Sequence, residues 1–208
     1  MKGSPRRLFV EGGGDHNRWL QTECRRAFSM LLTNAGFGRR MPRIVVCGGR
    51  ANAYDQFCTA LAHSAPGEVA LLLVDAEAPV DADSPWVFVK QRKGDGWCMP
   101  AGAEDKHLHL MVQSMEAWII ADRAALGTFF DPGFRAAALP AATANLEQVS
   151  KCDLERTLQA ATKAAKTKGA YNKGRHSFKL LAQVDPKLVR ASSPWAERFF
   201  ATLDALLV

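Results

Sequence analysis

Residues 69–74 form an unbroken apolar run, Val-Ala-Leu-Leu-Leu-Val, and acidic residues follow it at Asp75 and Glu77. A strand with one wet face alternates apolar and polar side chains, whereas a continuous apolar strand is typical of a parallel sheet that is covered on both faces. The run therefore predicts a buried parallel strand with carboxylates at its carboxyl end.

The residues before this strand alternate between strand and helix patterns. We predict strands at residues 7–10 and 43–46 and a helix at 15–36 with Asp15 as its N-cap. A second helix is expected after Gly49, with Tyr54, Phe57, Cys58 and Leu61 as its apolar residues, and Pro66-Gly67 stops it. Strand, helix, strand, helix, strand order implies parallel strands that are joined by right-handed crossovers. The predicted class is therefore α/β, with a central, mainly parallel sheet and helices on both faces.

The rest of the chain predicts two further strands and then helices. The strands are expected at residues 86–89 and 107–112, and helical patterns dominate from Asp131 onward, with Asp153 as an N-cap. We predict a core at residues 1–125 and a helical C-terminal extension at 126–208 that packs on it in the same compact unit.

A third carboxylate follows the first strand, in the sequence Val10-Glu11-Gly12-Gly13-Gly14. The glycines resemble a phosphate-binding turn, but the P-loop ending is missing and Glu11 places a negative charge where a phosphate would bind. Carboxylates that end two parallel strands meet at one edge of the sheet, and they are ligands suited to Mg²⁺ or Mn²⁺. The alternative is that Glu11, Asp75 and Glu77 are exposed loop carboxylates.

These three acidic residues resemble the signature of the Toprim superfamily, the catalytic domain of topoisomerases, primases and overcoming-lysogenization-defect nucleases. A longer set of motifs looks like the Toprim-like bacterial family "domain of unknown function 4276". That set is Val10-Glu11-Gly12, Leu110-Met111-Val112-Gln113-Ser114-Met115-Glu116-Ala117-Trp118, Asp122 and Tyr171-Asn172-Lys173.

The resemblance implies a Toprim-like, Rossmannoid core in which Glu11 acts as acid-base group or metal ligand and Asp75 and Glu77 hold the divalent ion. The chain departs from the usual Asp-x-Asp at Glu77, whose extra methylene changes the metal geometry or brings in Asp81 or Asp83. Glu116 is a candidate supporting group, or a carboxylate that only stabilises a helix N-terminus.

The most basic stretch of the chain, residues 163–179, offers candidate phosphate contacts. Lys173 and His176 are catalytic candidates, because a cation stabilises developing negative charge and a histidine transfers protons near neutral pH. Candidate nucleic-acid contacts lie here and in a glycine-rich loop, at Lys90, Arg92, Lys93, Lys168 and Arg175. A solvated basic surface is the alternative for both segments.

Several tryptophan and histidine residues are predicted to have structural roles. Trp19, Trp118 and Trp195 fall on apolar helical stripes and are expected in the core, whereas Trp97 in the basic loop is a candidate for base stacking. The pair His107 and His109 lacks the further ligands of a zinc site and is interpreted as structural. The chain has five scattered cysteines and a net charge of +6, which favour reduced thiols and an anionic partner.

The function predicted from these features is a Mg²⁺- or Mn²⁺-dependent nuclease that acts on DNA or RNA. The resemblance implies bacterial antiviral defence and a separate ATPase or other defence-system subunit, because the chain has no Walker motif. With no run of apolar residues long enough to span a bilayer, we expect a cytoplasmic protein without a membrane partner. Oligomerisation stays open.

Two alternatives remain. One is a catalytically inactive Toprim-like subunit that binds or regulates within a larger defence complex. The other is phosphoesterase or nucleotidyl-transfer chemistry on a small nucleotide, which needs a closed pocket in place of a basic groove.

Overall fold

The computed structural model describes residues 6–206, and in that part of the chain four strands form one all-parallel sheet. The strands are β1 (Arg6–Val10), β2 (Arg43–Val46), β3 (Val69–Asp75) and β4 (Leu108–Met111), in the order β2-β1-β3-β4. The predicted α/β class with a parallel sheet is confirmed. Because β1 and β3 are the two central strands, their carboxyl ends lie side by side.

Nine α-helices are present among the described residues. They are α1 (Arg18–Leu32), α2 (Arg50–Ala62), α3 (Pro85–Gln91), α4 (Met115–Ala121), α5 (Arg123–Phe130), α6 (Lys151–Thr162), α7 (Lys173–Leu181), α8 (Pro186–Ser192) and α9 (Pro194–Leu206). Within residues 6–206, none of them combines the length and apolar character needed to cross a membrane.

Two apolar layers cover the sheet, one on each face. Along β3, Leu71 and Leu73 belong to one layer, and Leu72 and Val74 belong to the other, as the alternation of side chains along a strand requires. All four side chains are at most 2% exposed. This double burial is the reason that the strand has no polar position before Asp75.

The C-terminal helices share the larger apolar layer with the sheet. Phe199 and Leu203 of α9 belong to the same buried cluster as Leu8 of β1 and Phe28 of α1. The predicted boundary between residues 125 and 126 falls inside α5. The extension therefore does not begin at a linker.

Two local predictions were wrong. Residues 86–89, predicted as a strand, lie in α3, where Pro85 takes the first turn and Trp86 and Val89 are buried three residues apart, a helical spacing. Trp19, predicted in the core, is 55% exposed near the start of α1. An apolar stripe does not show which part of a helix is buried. In α1 the first buried residue is Cys24.

The capping predictions were wrong by a few residues. The N-cap of α1 is Asn17, whose side chain accepts from the Leu20 amide, and the N-cap of α6 is Ser150 in place of Asp153. Asp15 instead accepts from the Gly49 amide at 2.7 Å and from the Asn52 side chain at 2.9 Å. It thereby holds the loop after β1 against the start of α2.

Candidate functional site

Glu11 and Asp75 meet at the carboxyl edge of the sheet. Glu11 follows β1, Asp75 ends β3, and the Asp75 amide donates to Glu11 Oε2 at 3.2 Å. The Asp75 carboxylate points towards the start of α4, where Oδ1 accepts from the Met115 amide at 2.9 Å. The parallel topology thus brings together two carboxylates that are far apart in sequence.

The surroundings of this pair disfavour two negative charges. Burial raises the pKa of Asp75 to about 7, and the neighbouring charge of Glu11 adds to the effect. Burial also raises the pKa of Glu11, although Arg50, at 3.5 Å from Glu11 Oε2, opposes it. A positive ligand between the two groups would relieve both effects.

A cavity of about 250 Å³ opens at this pair. Two lysines from distant parts of the chain, Lys151 at the start of α6 and Lys173 at the start of α7, join the two carboxylates in lining it. The other lining residues are Gly12, Gly13, Gly14, Leu20, Gly48, Met111, Met115, Gly174, Ser177 and Phe178. The lining of the cavity therefore combines two acidic groups with two cations.

Glycine is required in the loop after Glu11. Gly13 has φ 78°, and a Cβ at this position would lie 2.8 Å from the backbone of Gln21. That contact and the left-handed backbone both exclude a side chain. The loop can consequently run close to α1 and leave the cavity beside Glu11 open.

Lys173 is held by a buried carboxylate. Its Nζ lies 3.2 Å from Oε2 of Glu116, a side chain that is only 1% exposed, while the Tyr171 hydroxyl donates to Glu116 Oε1 at 3.0 Å. Burial alone would raise the pKa of Glu116, but Lys173 and Tyr171 hold it below its ordinary value. Glu116 thus stays charged and fixes Lys173 beside Asp75.

Glu77 is oriented differently from the other two acidic residues. It has φ 61°, an uncommon conformation outside glycine, and its carboxylate pairs with Arg92 at 2.5 Å and with Lys151 at 2.6 Å. Burial would raise the pKa of Glu77, but the hydrogen bond and charge of Lys151, and then Arg92, lower it. Both of its oxygens are occupied by cations.

A buried ion-pair network ties the loop after α3 to this edge. Asp95, with a side chain 3% exposed, pairs with Arg50 at 2.7 Å and with Arg92 at 2.9 Å. Arg50 also donates to the Asp75 carbonyl, and its guanidinium lies 4.7 Å from the centre of the Trp97 ring. The network therefore connects Glu11 to Glu77 through three charged side chains.

Several predicted residues are not brought into the cavity. His176 is 3% exposed, accepts from the Asn172 amide at 3.1 Å and packs against Phe129 and Phe130, which favours a structural role. Trp97 is 8% exposed and stacks on Tyr54, with 4.4 Å between ring centres, so it is no free stacking surface.

The other predicted contacts lie at the surface. Asp81 is exposed and lines a separate cavity of about 550 Å³ with Glu77, Arg92 and Lys93. The remaining exposed candidates are Asp83, Lys90, Lys168 and Arg175. The structural interpretation of His107 and His109 agrees with their burial, at 9% and 0% exposure.

Sequence reasoning missed Arg50 and Lys151. Arg50 opens α2 directly behind Cys47-Gly48-Gly49, so its position after the second strand was a usable signal. Lys151 opens α6, 74 residues away from Glu77 in sequence. No local pattern marks such a contact, because only the packing of α6 on α4 brings it to the edge of the sheet.

The donor set fits a divalent cation at Glu11 and Asp75. Magnesium is usually bound by one or two carboxylates together with water and substrate phosphate, and two convergent carboxylates with raised pKa values meet that requirement. Among residues 6–206, no group of three or more His, Cys, Asp or Glu side chains is arranged to hold a metal. Glu77 is paired with Arg92 and Lys151 instead.

A protein-family model described as a domain of unknown function (DUF4276) matches residues 10–204. That range includes the last residue of β1, the whole of β2, β3 and β4, all nine helices described above except the last two residues of α9, and every residue of the cavity. No curated protein and no solved structure matches the chain.

Proposed function

Because the chain belongs to the DUF4276 family, whose description names no activity, we propose its function from the site: it is a divalent-metal-dependent nuclease that hydrolyses phosphodiester bonds of DNA or RNA. The observation that carries this proposal is the pairing of Glu11 and Asp75 in a cavity flanked by Lys151 and Lys173. Carboxylates for a metal and cations for a phosphate are the two parts that phosphodiester hydrolysis requires.

Glu11 and Asp75 would hold the ion. A bound Mg²⁺ or Mn²⁺ supplies charge stabilisation and lowers the pKa of water. The remaining contributions come from the chain itself. Lys173, fixed by Glu116, and Lys151 would bind the non-bridging oxygens of the phosphate, where negative charge increases during attack.

Hydrolysis also needs a proton acceptor. Water attacks phosphorus, the bond from phosphorus to the leaving oxygen breaks, and a proton leaves the attacking water. Glu11 lines the cavity, and a carboxylate oxygen that does not hold the ion would accept that proton. Lys173 would stabilise the charge on the leaving oxygen, which then takes a proton from water.

The resemblance of Glu11 and Asp75-x-Glu77 to the Toprim signature supports the same chemistry and extends the proposal. We infer that the protein acts in bacterial defence with an ATPase or another defence-system subunit. Adding such a partner to the purified chain is expected to raise the cleavage rate or narrow the substrate range.

The direct test is cleavage of labelled single- and double-stranded DNA and RNA by the purified chain with Mg²⁺, Mn²⁺ or EDTA. Glu11→Gln and Asp75→Asn should abolish cutting and weaken Mn²⁺ binding measured by calorimetry. Glu197→Gln is the matched control, since Glu197 pairs with Arg190 at the surface, away from the cavity. Cutting that survives in both site variants would refute the proposal.

A catalytically inactive binding or regulatory subunit is the second candidate. The observation that favours it is the double ion pair of Glu77 with Arg92 and Lys151, which leaves only Glu11 and Asp75 of the signature for a metal ion, and Glu11 itself lies 3.5 Å from Arg50. On this hypothesis the chain binds no Mn²⁺ and cuts nothing even with its partner subunit, and Glu11→Gln leaves partner binding unchanged.

A further inference from the structure

The exposed residue Trp19 is one residue away in sequence from the lining of the cavity. Its neighbour Leu20 lines the cavity, and so does Phe178, which precedes the Lys179 that covers the Trp19 ring. Lys179 Nζ lies 6.0 Å from the ring centre. Helices α1 and α7 therefore both begin at the cavity and carry an aromatic and a cation side by side just outside it.

Trp19 is the exception among the five tryptophans of the chain. Trp86, Trp97 and Trp118 are at most 8% exposed and Trp195 is half-buried, whereas Trp19 is 55% exposed. Burying an indole ring contributes more to folding than burying most side chains, so leaving one in solvent gives up stability. An exposed tryptophan held by a lysine is suited to contact a ligand.

A second cavity shares Phe178 with the first, and the charged residues around it are mostly basic. Its volume is about 320 Å³, and Arg26, Lys179 and the opposing carboxylate of Glu23 also line it. Arg175 is exposed four residues before Lys179, and this spacing places both cations on one face of α7. A polyanion leaving the first cavity would meet three cations and one carboxylate.

We propose that Trp19 and Lys179 form a stacking site for an unpaired base of a single-stranded nucleic acid whose backbone enters the cavity of Glu11 and Asp75. The inference rests on the proposed action on phosphodiesters and narrows its substrate class. Aromatic rings stack on any base, and cations beside them hold the phosphates. Bases in a duplex are already stacked on their neighbours and cannot take this position.

The test measures binding without metal, so that it does not depend on catalysis. In EDTA, the anisotropy of end-labelled oligothymidine and oligouridine of about 12 nucleotides and of a labelled hairpin duplex of similar mass gives the affinity of each variant, and intrinsic tryptophan fluorescence reports contact with Trp19. Both single strands should quench the fluorescence of the wild type, and the duplex should bind more weakly. The comparison of the two single strands also reports any preference between DNA and RNA.

Trp19→Ala should weaken single-strand binding by about 5- to 150-fold, the range that loss of one stacked base produces. Trp19→Phe should lose less affinity, because an aromatic ring remains at this position. It should also remove the quenching, because the indole that reports binding is gone. Leu188→Ala, which removes a 43% exposed apolar side chain from α8, is the matched control and should bind as the wild type does. Thermal unfolding checks that each variant is folded.

Unchanged single-strand affinity in Trp19→Ala, or no binding by the wild type, overturns the inference. Size-exclusion chromatography covers the other possible occupant: if Trp19→Ala turns a dimer into a monomer and leaves oligonucleotide affinity unchanged, the surface is a self-association site. Binding that depends on Trp19 in a protein that never cuts supports the stacking site and removes the nuclease proposal.

Discussion

At the scale of single residues, the site consists of charges whose partners decide their roles. Glu11 and Asp75 compete with each other for a positive charge, Glu77 has two cations, and Glu116 has one together with a tyrosine hydroxyl. The neighbours of each carboxylate therefore decide whether it is available to bind a ligand or holds other residues of the site in place. The same division appears in the lysines, since Lys173 faces Asp75 while Lys151 is shared with Glu77.

Lys173→Ala should lower the free energy of unfolding as well as the rate of cleavage. It removes the cation from the buried carboxylate of Glu116, to which the Tyr171 hydroxyl still donates, and an under-satisfied buried acceptor costs about 1–3 kcal/mol. Because the lysine side chain is 41% exposed, water compensates part of the loss. Urea denaturation measures the change, with exposed Lys163→Ala as the control at within about 0.5 kcal/mol. Equal losses in both variants would contradict this account.

His109 should make stability depend on pH. It is fully buried, and its pKa is lowered to about 3, mainly by burial and then by the charge of Arg198. Between pH 6.5 and 3, the unfolded state therefore binds a proton at this residue that the folded state does not bind. This contribution is complete above the ordinary pKa of 6.5 and is lost as pH falls from there towards 3, with a slope that approaches roughly 1.4 kcal/mol per pH unit.

The measurement is the free energy of unfolding at about pH 7 and about pH 4.5, values that bracket most of this window. His109→Gln should show a smaller drop than the wild type, and His16→Gln, which changes an exposed side chain, should show the same drop as the wild type. A drop that is unchanged in His109→Gln would mean that other groups govern the pH dependence.

At the scale of elements, β3 is the part of the chain on which the site depends. It pairs with β1 on one side and β4 on the other, and both of its faces are covered by apolar layers. Its last residue is Asp75, so any shift of the strand would move the carboxylate relative to Glu11. The short helix α3 and the loop after it then bring Arg92 and Asp95 back to the same edge.

Leu72→Ala should cost about 2–5 kcal/mol, because it removes a side chain with 0% exposure from the middle of β3 and leaves a cavity. Val87→Ala in α3 removes an exposed side chain and is the control, at within about 0.5 kcal/mol. Chemical denaturation compares the two. A small effect of Leu72→Ala would show that the layer collapses around the gap.

At the scale of the whole molecule, one apolar layer joins the sheet to the C-terminal helices. The Phe199 ring of α9 lies 6.0 Å from the Trp118 ring of α4, and both side chains are 0% exposed. A shared core of this kind couples the folding of the elements on either side of it.

Phe199→Ala should therefore lower the stability of the whole chain by about 3–5 kcal/mol. Unfolding followed by tryptophan fluorescence and by far-ultraviolet circular dichroism should remain coincident in the wild type and in the variant. Two separate transitions would mean that the residues after position 125 fold as an independent unit. Thr202→Ala, which changes a half-buried side chain in the same helix, is the comparison and should lower the stability less.

Much of the fold and the pairing of two site residues could be predicted from the sequence. The unbroken apolar run predicts a strand that is buried on both faces, and the alternation with helices predicts parallel pairing, so Glu11 and Asp75 had to lie at one edge. These predictions follow from the spacing of apolar side chains and from the order of strands and helices, both of which can be read directly along the chain.

The tertiary structure alone decided which charges meet. Lys151 reaches Glu77 from 74 residues away, Lys173 reaches Glu116 from 57 residues away, and Trp19 stays in solvent on a helix whose stripe predicted burial. Such contacts depend on how helices pack over the sheet edge, and packing is a balance of many weak, non-local interactions that no short sequence pattern records. The sequence by itself determined the edge at which the site forms, and the packing determined which of its carboxylates remain available to a ligand.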